Sequence, residues 1–293
     1  MHLNKNLLLL HFTVFIWGFT AIFGQLISIS AYELVWYRML IASISLYFYH
    51  RFFVKEKSSL DRKKVLKLLG IGGIVSLHWF FFYHSIKTST ISVSLICLSA
   101  TALFTSFLNP LFHKKAGFSW LDLITGIIII IGIILIFHFE TGYTEGIIYG
   151  LLASFMAALF TILNEIEVKG IEASTIGMYE MIGGFICMTI YLAATSINTD
   201  YQLIISLSDG IYLLILGTIC TALAYVIGVA VMKEISAYIV VLSTNLEPVY
   251  GIILAFIIFG EKELMTGGFY QGAFIILASV FAYPFIKRRL EKQ

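Results

Sequence analysis

The sequence predicts an all-α polytopic membrane protein, with ten transmembrane helices in two inverted five-helix repeats and both termini in the cytoplasm. Three observations predict it. Ten apolar runs fill most of a 293-residue chain that is 59% hydrophobic and only 12% charged, with a mean hydropathy of +0.94. A soluble domain carries about 25% charged residues, and a spanning helix needs roughly 20 apolar ones. If the ten runs alternate in direction, 16 of the 19 Lys and Arg fall on one side, two (Lys87 and Lys262) on the other, and Arg38 inside a span. Cytoplasmic loops keep Lys and Arg, so this sorting gives orientation as well as location. Finally, the loop charge of the second half inverts that of the first.

The elements follow in order. Residues 7–27 form the first span; this run has no small-residue cleavage site and is long enough to cross, so it reads as a helix rather than a leader. Span two, 32–53, and span three, 65–86, flank a basic loop holding Arg51, Lys55, Lys57, Arg62, Lys63, Lys64 and Lys67. Span four, 91–112, and span five, 119–139, flank His113-Lys114-Lys115 on the same side. Spans six to ten are 146–166, 174–196, 209–232, 236–259 and 266–286, and the inner tail carries Lys287-Arg288-Arg289. Outer connections hold Glu140, Glu145, Asp200, Glu261 and Glu263. Most loops are short, which suits antiparallel neighbours.

Two halves, 1–140 and 146–293, align. Trp36-Tyr37-Arg38-Met39 sits where Met178-Tyr179-Glu180-Met181 sits in the second half, and Leu98-Ser99 answers Leu242-Ser243. Five spans is an odd number, so the second half crosses in the opposite sense. Accordingly, the basic loop after span two answers the outer, acidic segment Ile197 to Asp209, and the inner His-Lys-Lys turn answers the outer Gly260-Glu261-Lys262-Glu263. Inverted repeats with a site near the midplane are a secondary-transporter architecture.

Trp17-Gly18 in the first span, Leu246-Glu247-Pro248-Val249 in the ninth and Phe259-Gly260-Glu261 closing it resemble EamA-type members of the drug/metabolite transporter superfamily. The resemblance covers the whole chain. It implies a transporter whose fifth and tenth spans are peripheral while the other eight surround a cavity, and it says almost nothing of the cargo. One departure stands out. The family often has a proline early in the fourth span; here Ser99-Ala100-Thr101 stands there and Pro110 comes later. A kink in span four is therefore expected to be displaced or absent.

Helical spacing independently marks inward faces, because residues three and four apart share one side. Polar or small stripes run through Thr13, Trp17, Thr20 and Gly24; Ser94, Thr101, Thr105 and Asn109; Ser154, Ala157, Thr161 and Asn164; Thr218, Thr221, Tyr225 and Gly228; and Ser243, Thr244, Glu247, Tyr250 and Gly251. Small and polar residues also mark plain helix packing in lipid. Stripes on so many spans together point to a shared polar cavity. Span five, with five consecutive Ile at 127–131, reads as lipid-facing.

The charged groups sharpen the site. Arg38 lies about six residues into span two, where an arginine costs up to roughly 2.5–3.5 kcal/mol on insertion scales. It reads either as an anchor for a substrate carboxylate or phosphate or as a structurally paired or snorkelling side chain. Glu180, at the matching place in span seven, is a substrate-amine or proton site, or a packing hydrogen bond. Glu247 precedes Pro248, which removes a donor and frees the Thr244 carbonyl; broken helices of this kind expose backbone to transporter cavities. The same Glu247 would equally serve to tie the kink to neighbouring helices, with Asn245 beside it. His78 and Trp79 fall mid-span, followed by an aromatic run to Tyr83; His78 reads as a proton relay or as a satisfied packing residue. The expected substrate-binding set is Trp17, Arg38, His78, Trp79, Tyr83, Thr101, Asn164, Glu180, Tyr225, Asn245 and Glu247, with Pro248 as the kink.

Other classes fit poorly. A net charge of +2 with basic residues confined to loops is not a nucleic-acid footprint. Cys97, Cys187 and Cys220 lie within apolar runs and read as packing residues. No His-Glu-x-x-His or Gly-x-Ser-x-Gly occurs, which argues against a membrane-embedded lipid-modifying enzyme. No cofactor or metal is expected, and no soluble signalling region is present for a sensor. What remains is an exporter of a small polar or amphipathic metabolite such as an amino acid, or a passive channel of the same fold. The partners expected are that substrate and membrane lipid, with Gly268 and Gly272 spaced for either a homodimer or internal packing.

Overall fold

The computed structural model describes residues 5–54, 60–113, 120–196, 201 and 204–290. Lys55, Lys57, Lys114, Lys115, Asp200 and Lys292 lie outside these. Every element among the described residues is helical. In chain order they are α1 (Lys5–Leu26), α2 (Ala31–Phe53), α3 (Arg62–Thr88), α4 (Ile91–Leu98), α5 (Thr101–Phe112), α6 (Trp120–Phe139), α7 (Thr144–Glu167), α8 (Ala173–Thr195), α9 (Leu207–Gly217), α10 (Ala224–Val231), α11 (Ala237–Thr244), α12 (Leu246–Phe259) and α13 (Gly267–Leu290). A π-helical turn, Thr218–Leu223, joins α9 to α10.

Eight segments among the described residues are long and apolar enough to cross a membrane, and Leu123–Phe139 is a shorter apolar helix. The 23-residue α2 is not among the eight; Glu33, Arg38 and Arg51 lie along it. The molecule is an all-α polytopic membrane protein. The apolar runs set the helix limits, and local chemistry ends them. Asp61 accepts from the Lys64 amide at 2.7 Å to cap α3, and Ser236 caps α11; each satisfies an N–H the helix itself cannot.

Two runs that look continuous in sequence are broken. The break between α11 and α12 falls at Asn245, three residues before Pro248. The fourth run breaks as well, at Ser99-Ala100, between α4 and α5. The expectation of a displaced or absent kink there is therefore corrected. The Ser99 hydroxyl is buried without a partner, and Thr101 Oγ1 donates back to the Leu98 carbonyl at 2.7 Å. Hydroxyl competition for backbone acceptors bends helices and replaces the proline here.

Packing sorts the helices into two bodies of core. The larger cluster joins α1, α2, α3, α8, α9 and α10. A smaller one joins α4 and α5 to α6 and α13. The α6–α13 pair meets backbone to backbone: a Cβ on Gly272 would stand 2.6 Å from the Gly132 carbonyl oxygen, and one on Gly268 2.0 Å from the Phe139 ring. The Gly268–Gly272 spacing thus serves internal packing, and a homodimer would have to use another face. The outward side of α6 exposes Ile124, Ile127, Ile130, Ile131 and Ile134, as a lipid-facing helix should.

The α3–α8 seam is tighter still. A Cβ on Gly72 would lie 2.0 Å from the Glu180 carbonyl oxygen, and one on Gly183 2.2 Å from that of Leu69. Only glycine permits this approach, and small residues are what bring helix backbones together in lipid.

Candidate functional site

A central cavity lies between α1, α2, α3, α4, α5, α7, α10, α11 and α12. Its lining runs from Met232 and Val240, near the Lys- and Arg-rich end, to Arg38, Trp79, Phe82 and Glu247 deeper in. Beyond these the opposite end is tied by carboxylates. Glu263 accepts from the amides of Ile91 and Ser92 at 3.2 and 3.0 Å and from the Ser92 hydroxyl at 2.8 Å. Asp209 accepts from the Ser28 amide and hydroxyl at 2.9 and 2.6 Å. A carboxylate on the amides of a first helical turn meets the positive end of the helix dipole.

Arg38 is 2% exposed and held from three sides. Its Nη1 donates to the Tyr83 hydroxyl at 2.7 Å, and its Nε to Thr221 Oγ1 at 2.7 Å. The guanidinium carbon stands 3.6 Å over the Trp79 ring, a desolvated cation–π contact of about 2 kcal/mol. The π turn makes this possible. It leaves the Leu216 carbonyl to the Thr221 hydroxyl, which donates to it at 2.6 Å, so the oxygen that accepts from Arg38 is fixed in place. The structure thus places Arg38 as a rigid cation. None of the ion pairs among the described residues involves it.

Glu247, on α12, faces the same cavity and is within electrostatic range of Arg38 without pairing to it. It is buried at 7% exposure, while its oxygens are not among the sealed-off, partnerless atoms. One guanidinium and one carboxyl group therefore open onto a shared space with mostly apolar and aromatic walls. His78 also lines it. Its Nδ1 donates to the Ala153 carbonyl at 2.8 Å, which orients the ring and ties α3 to α7. Trp79 meets Tyr225 edge-on, with ring centroids 6.1 Å apart.

Of the eleven residues expected at a substrate site, Trp17, Arg38, His78, Trp79, Thr101, Asn164, Tyr225 and Glu247 line the cavity. The other three stand apart from the lining. Tyr83 lies behind Arg38 as its hydrogen-bond acceptor, with its ring against Gly24. Glu180 lies behind Asn164 and Tyr225, accepting from the Tyr225 hydroxyl at 2.7 Å and from Asn164 Nδ2 at 3.4 Å. Asn245 turns its amide back onto the Val241 carbonyl at 2.9 Å. Lining residues outside the expected set fall into two groups. Thr20, Ala157, Thr161, Gly228 and Thr244 belong to the polar stripes and were legible there. Phe82, Leu98, Phe160, Val229, Met232, Val240 and Val241 are apolar and carry no signal that separates a cavity wall from a lipid-facing one.

Arg38 and Glu180 hold matching positions in their helices. Arg38 is the eighth residue of α2 and Glu180 the eighth of α8. Each is bonded to a tyrosine 45 residues further along the chain, Tyr83 and Tyr225 respectively. Glycines stand beside both: Gly72 of α3 abuts the backbone of Glu180, while a Cβ on Gly217 of α9 would meet the Ile41 side chain at 2.6 Å and the Arg38 carbonyl oxygen at 3.5 Å.

Comparisons with known proteins agree with this picture. A family model described as the EamA-like transporter family matches twice, over residues 4–138 and 144–284. A protein of Archaeoglobus fulgidus named an uncharacterized transporter is 23% identical over 200 residues, 68% of each chain. A solved structure titled only as the crystal structure of a protein superposes with a TM-score of 0.70 at 12% identity, over 97% of this chain and 99% of that one. At that identity it speaks for the fold alone.

Proposed function

Because the chain belongs to the EamA-like transporter family, we propose that it is a secondary transporter for a small zwitterionic or amphipathic metabolite, of the amino-acid kind, working by alternating access. The observation that carries this is Arg38 and Glu247 opening onto one cavity without an ion pair between them. A cargo carboxylate answers the arginine, whose guanidinium Tyr83, Thr221 and Trp79 hold in place. A cargo ammonium answers the glutamate, and the Trp17, Trp79, Phe82 and Phe160 walls take an apolar body. The halves 1–140 and 146–293 rock about this site.

The direction we propose is outward. The lining reaches the end that bears the Lys and Arg, the cytoplasmic end by loop charge, while Glu263 and Asp209 tie the other. In this conformation a cargo reaches the site from inside, which supports that reading. The test is a thermal-shift screen of purified protein against amino acids, nucleosides, organic acids and amines. A ligand that binds only the folded state raises apparent stability with concentration. Amino-acid hits whose shift is lost in Arg38→Ala and in Glu247→Gln support the reading. Hits confined to nucleosides, or unaffected by both changes, overturn it. Counterflow in proteoliposomes distinguishes an alternating carrier from a passive channel, which gives none.

A further inference from the structure

We propose that Glu180 is a proton-binding site of the carrier, reached from the cavity through Tyr225 and Asn164. This rests on the transport reading and adds its coupling ion. Glu180 has no exposure at all. Its Oε2 accepts from Tyr225 and Asn164, whereas Oε1 is buried with no partner, and so is Asn164 Oδ1. Both orphans are acceptors, so the cluster lacks a hydrogen. A bare carboxylate sealed from water without a cation is among the most costly groups a protein can bury.

The neighbouring cations are engaged elsewhere. Lys67 of α3 is ion-paired with Glu167 of α7, the one other acid felt at Glu180. Arg38 of α2 holds Tyr83 and Thr221, and His50 of α2 meets Thr175. His78 of α3 is bonded to Ala153, and α10 presents Tyr225. No cation therefore reaches the carboxylate through this shell.

The side chains present do not suit a metal ion either. The Glu180 carboxylate is bonded to one phenol and one amide, and no cluster of three or more His, Cys, Asp or Glu occurs among the described residues. A proton needs no such ligand set. It neutralises the carboxylate and supplies one O–H donor to a cluster whose remaining orphan is an acceptor. Tyr225 and Asn164 stand on the cavity wall and Glu180 directly behind them, so the path is one residue deep. A hydronium in the cavity gives its proton to the Tyr225 oxygen as the tyrosine's own O–H proton passes to the Glu180 carboxylate. The phenol stays neutral, water remains, and the carboxylate becomes a carboxylic acid. Glu180 also sits on the α3–α8 seam, between the two halves, so a rocking motion changes its surroundings.

The test needs no cargo. Infrared difference spectra of the purified protein in liposomes are recorded while pH is stepped from acid to alkaline. The expected result is a protonated-carboxyl C=O band that titrates and shifts in D₂O. It is absent in Glu180→Gln, retained in Glu247→Gln, and moved in frequency in Tyr225→Phe. A titrating band unchanged by Glu180→Gln overturns the proposal. So does a Glu180 band that fails to exchange in D₂O or is indifferent to Tyr225→Phe. The phenylalanine variant decides the matter should the glutamine variant not fold. A failed cargo screen with this band present sinks the substrate assignment and leaves the proton site standing.

Discussion

Replacing Gly72 by alanine places a methyl carbon 2.0 Å from the Glu180 carbonyl oxygen, where ordinary contact begins at 3.4 Å. The obstacle is backbone, so no rotamer change relieves it, and α3 and α8 must separate by more than about 1 Å. Overpacking of this sort costs about 1–3 kcal/mol and occasionally more. Alanine returns roughly 0.5–1 kcal/mol of helix preference; because the clash is with backbone, the cost falls toward the upper end, leaving a net loss of about 2 kcal/mol. Gly70, half a turn away on the same helix, provides the control. It is exposed, and a Cβ there meets nothing within 4 Å. Gly70→Ala should therefore gain about 0.5–1 kcal/mol. Thermal unfolding of both purified variants in one detergent reads the contrast: Gly72→Ala melts below the parent and Gly70→Ala at or above it. A Gly72→Ala protein as stable as the parent would refute the close seam and the placement of Glu180 that depends on it.

Three further outcomes follow from the same contacts. Thr221→Val leaves the Arg38 Nε and the Leu216 carbonyl without their shared hydroxyl; it should cost about 1–3 kcal/mol in thermal unfolding, with Thr221→Ser restoring most of it. Glu263→Ala releases the amides of Ile91 and Ser92; a cap lost this way costs about 0.5–2 kcal/mol, and faster hydrogen exchange at those two amides is the specific sign. Gly272→Leu pushes α13 off the Gly132 backbone; it should lower the melting temperature without reducing cargo-induced stabilisation, because neither helix lines the cavity.

Much of the fold was legible because lipid enforces it. Backbone polar groups have no water to turn to in a bilayer, so long apolar runs become helices with few exceptions. The run read as 174–196 is Ala173–Thr195, and that read as 91–112 has the same outer limits in α4 and α5. The break at Ser99-Ala100 was not legible, since no proline marks it and a threonine hydroxyl such as that of Thr101 bends a helix only in the right packing. The match to Arg38 marked Glu180 as a candidate site residue. It could not tell that Asn164, sixteen residues earlier, and Tyr225, from another helix, would stand in front of it. Asn245 failed differently: its amide has a nearer acceptor in the turn before. Spacing gives a direction, whereas what covers a side chain in that direction depends on neighbours distant in sequence.

The shell around Arg38 bears on how the chain is made. Tyr83 follows the arginine by 45 residues and Thr221 by 183, and chains emerge from the ribosome N-terminus first. When α2 enters the bilayer, its guanidinium has no partner, at an insertion cost of up to about 2.5–3.5 kcal/mol. Arrival of α3 brings Tyr83 and Trp79, and only the second half of the chain brings the acceptor for Nε. The first half is thus left incomplete until the second has been synthesised. A chain truncated before α9 would hold an arginine donor in apolar surroundings with nothing to receive it, a state that membrane quality control is equipped to remove. Two halves expressed separately should accumulate only when both are present.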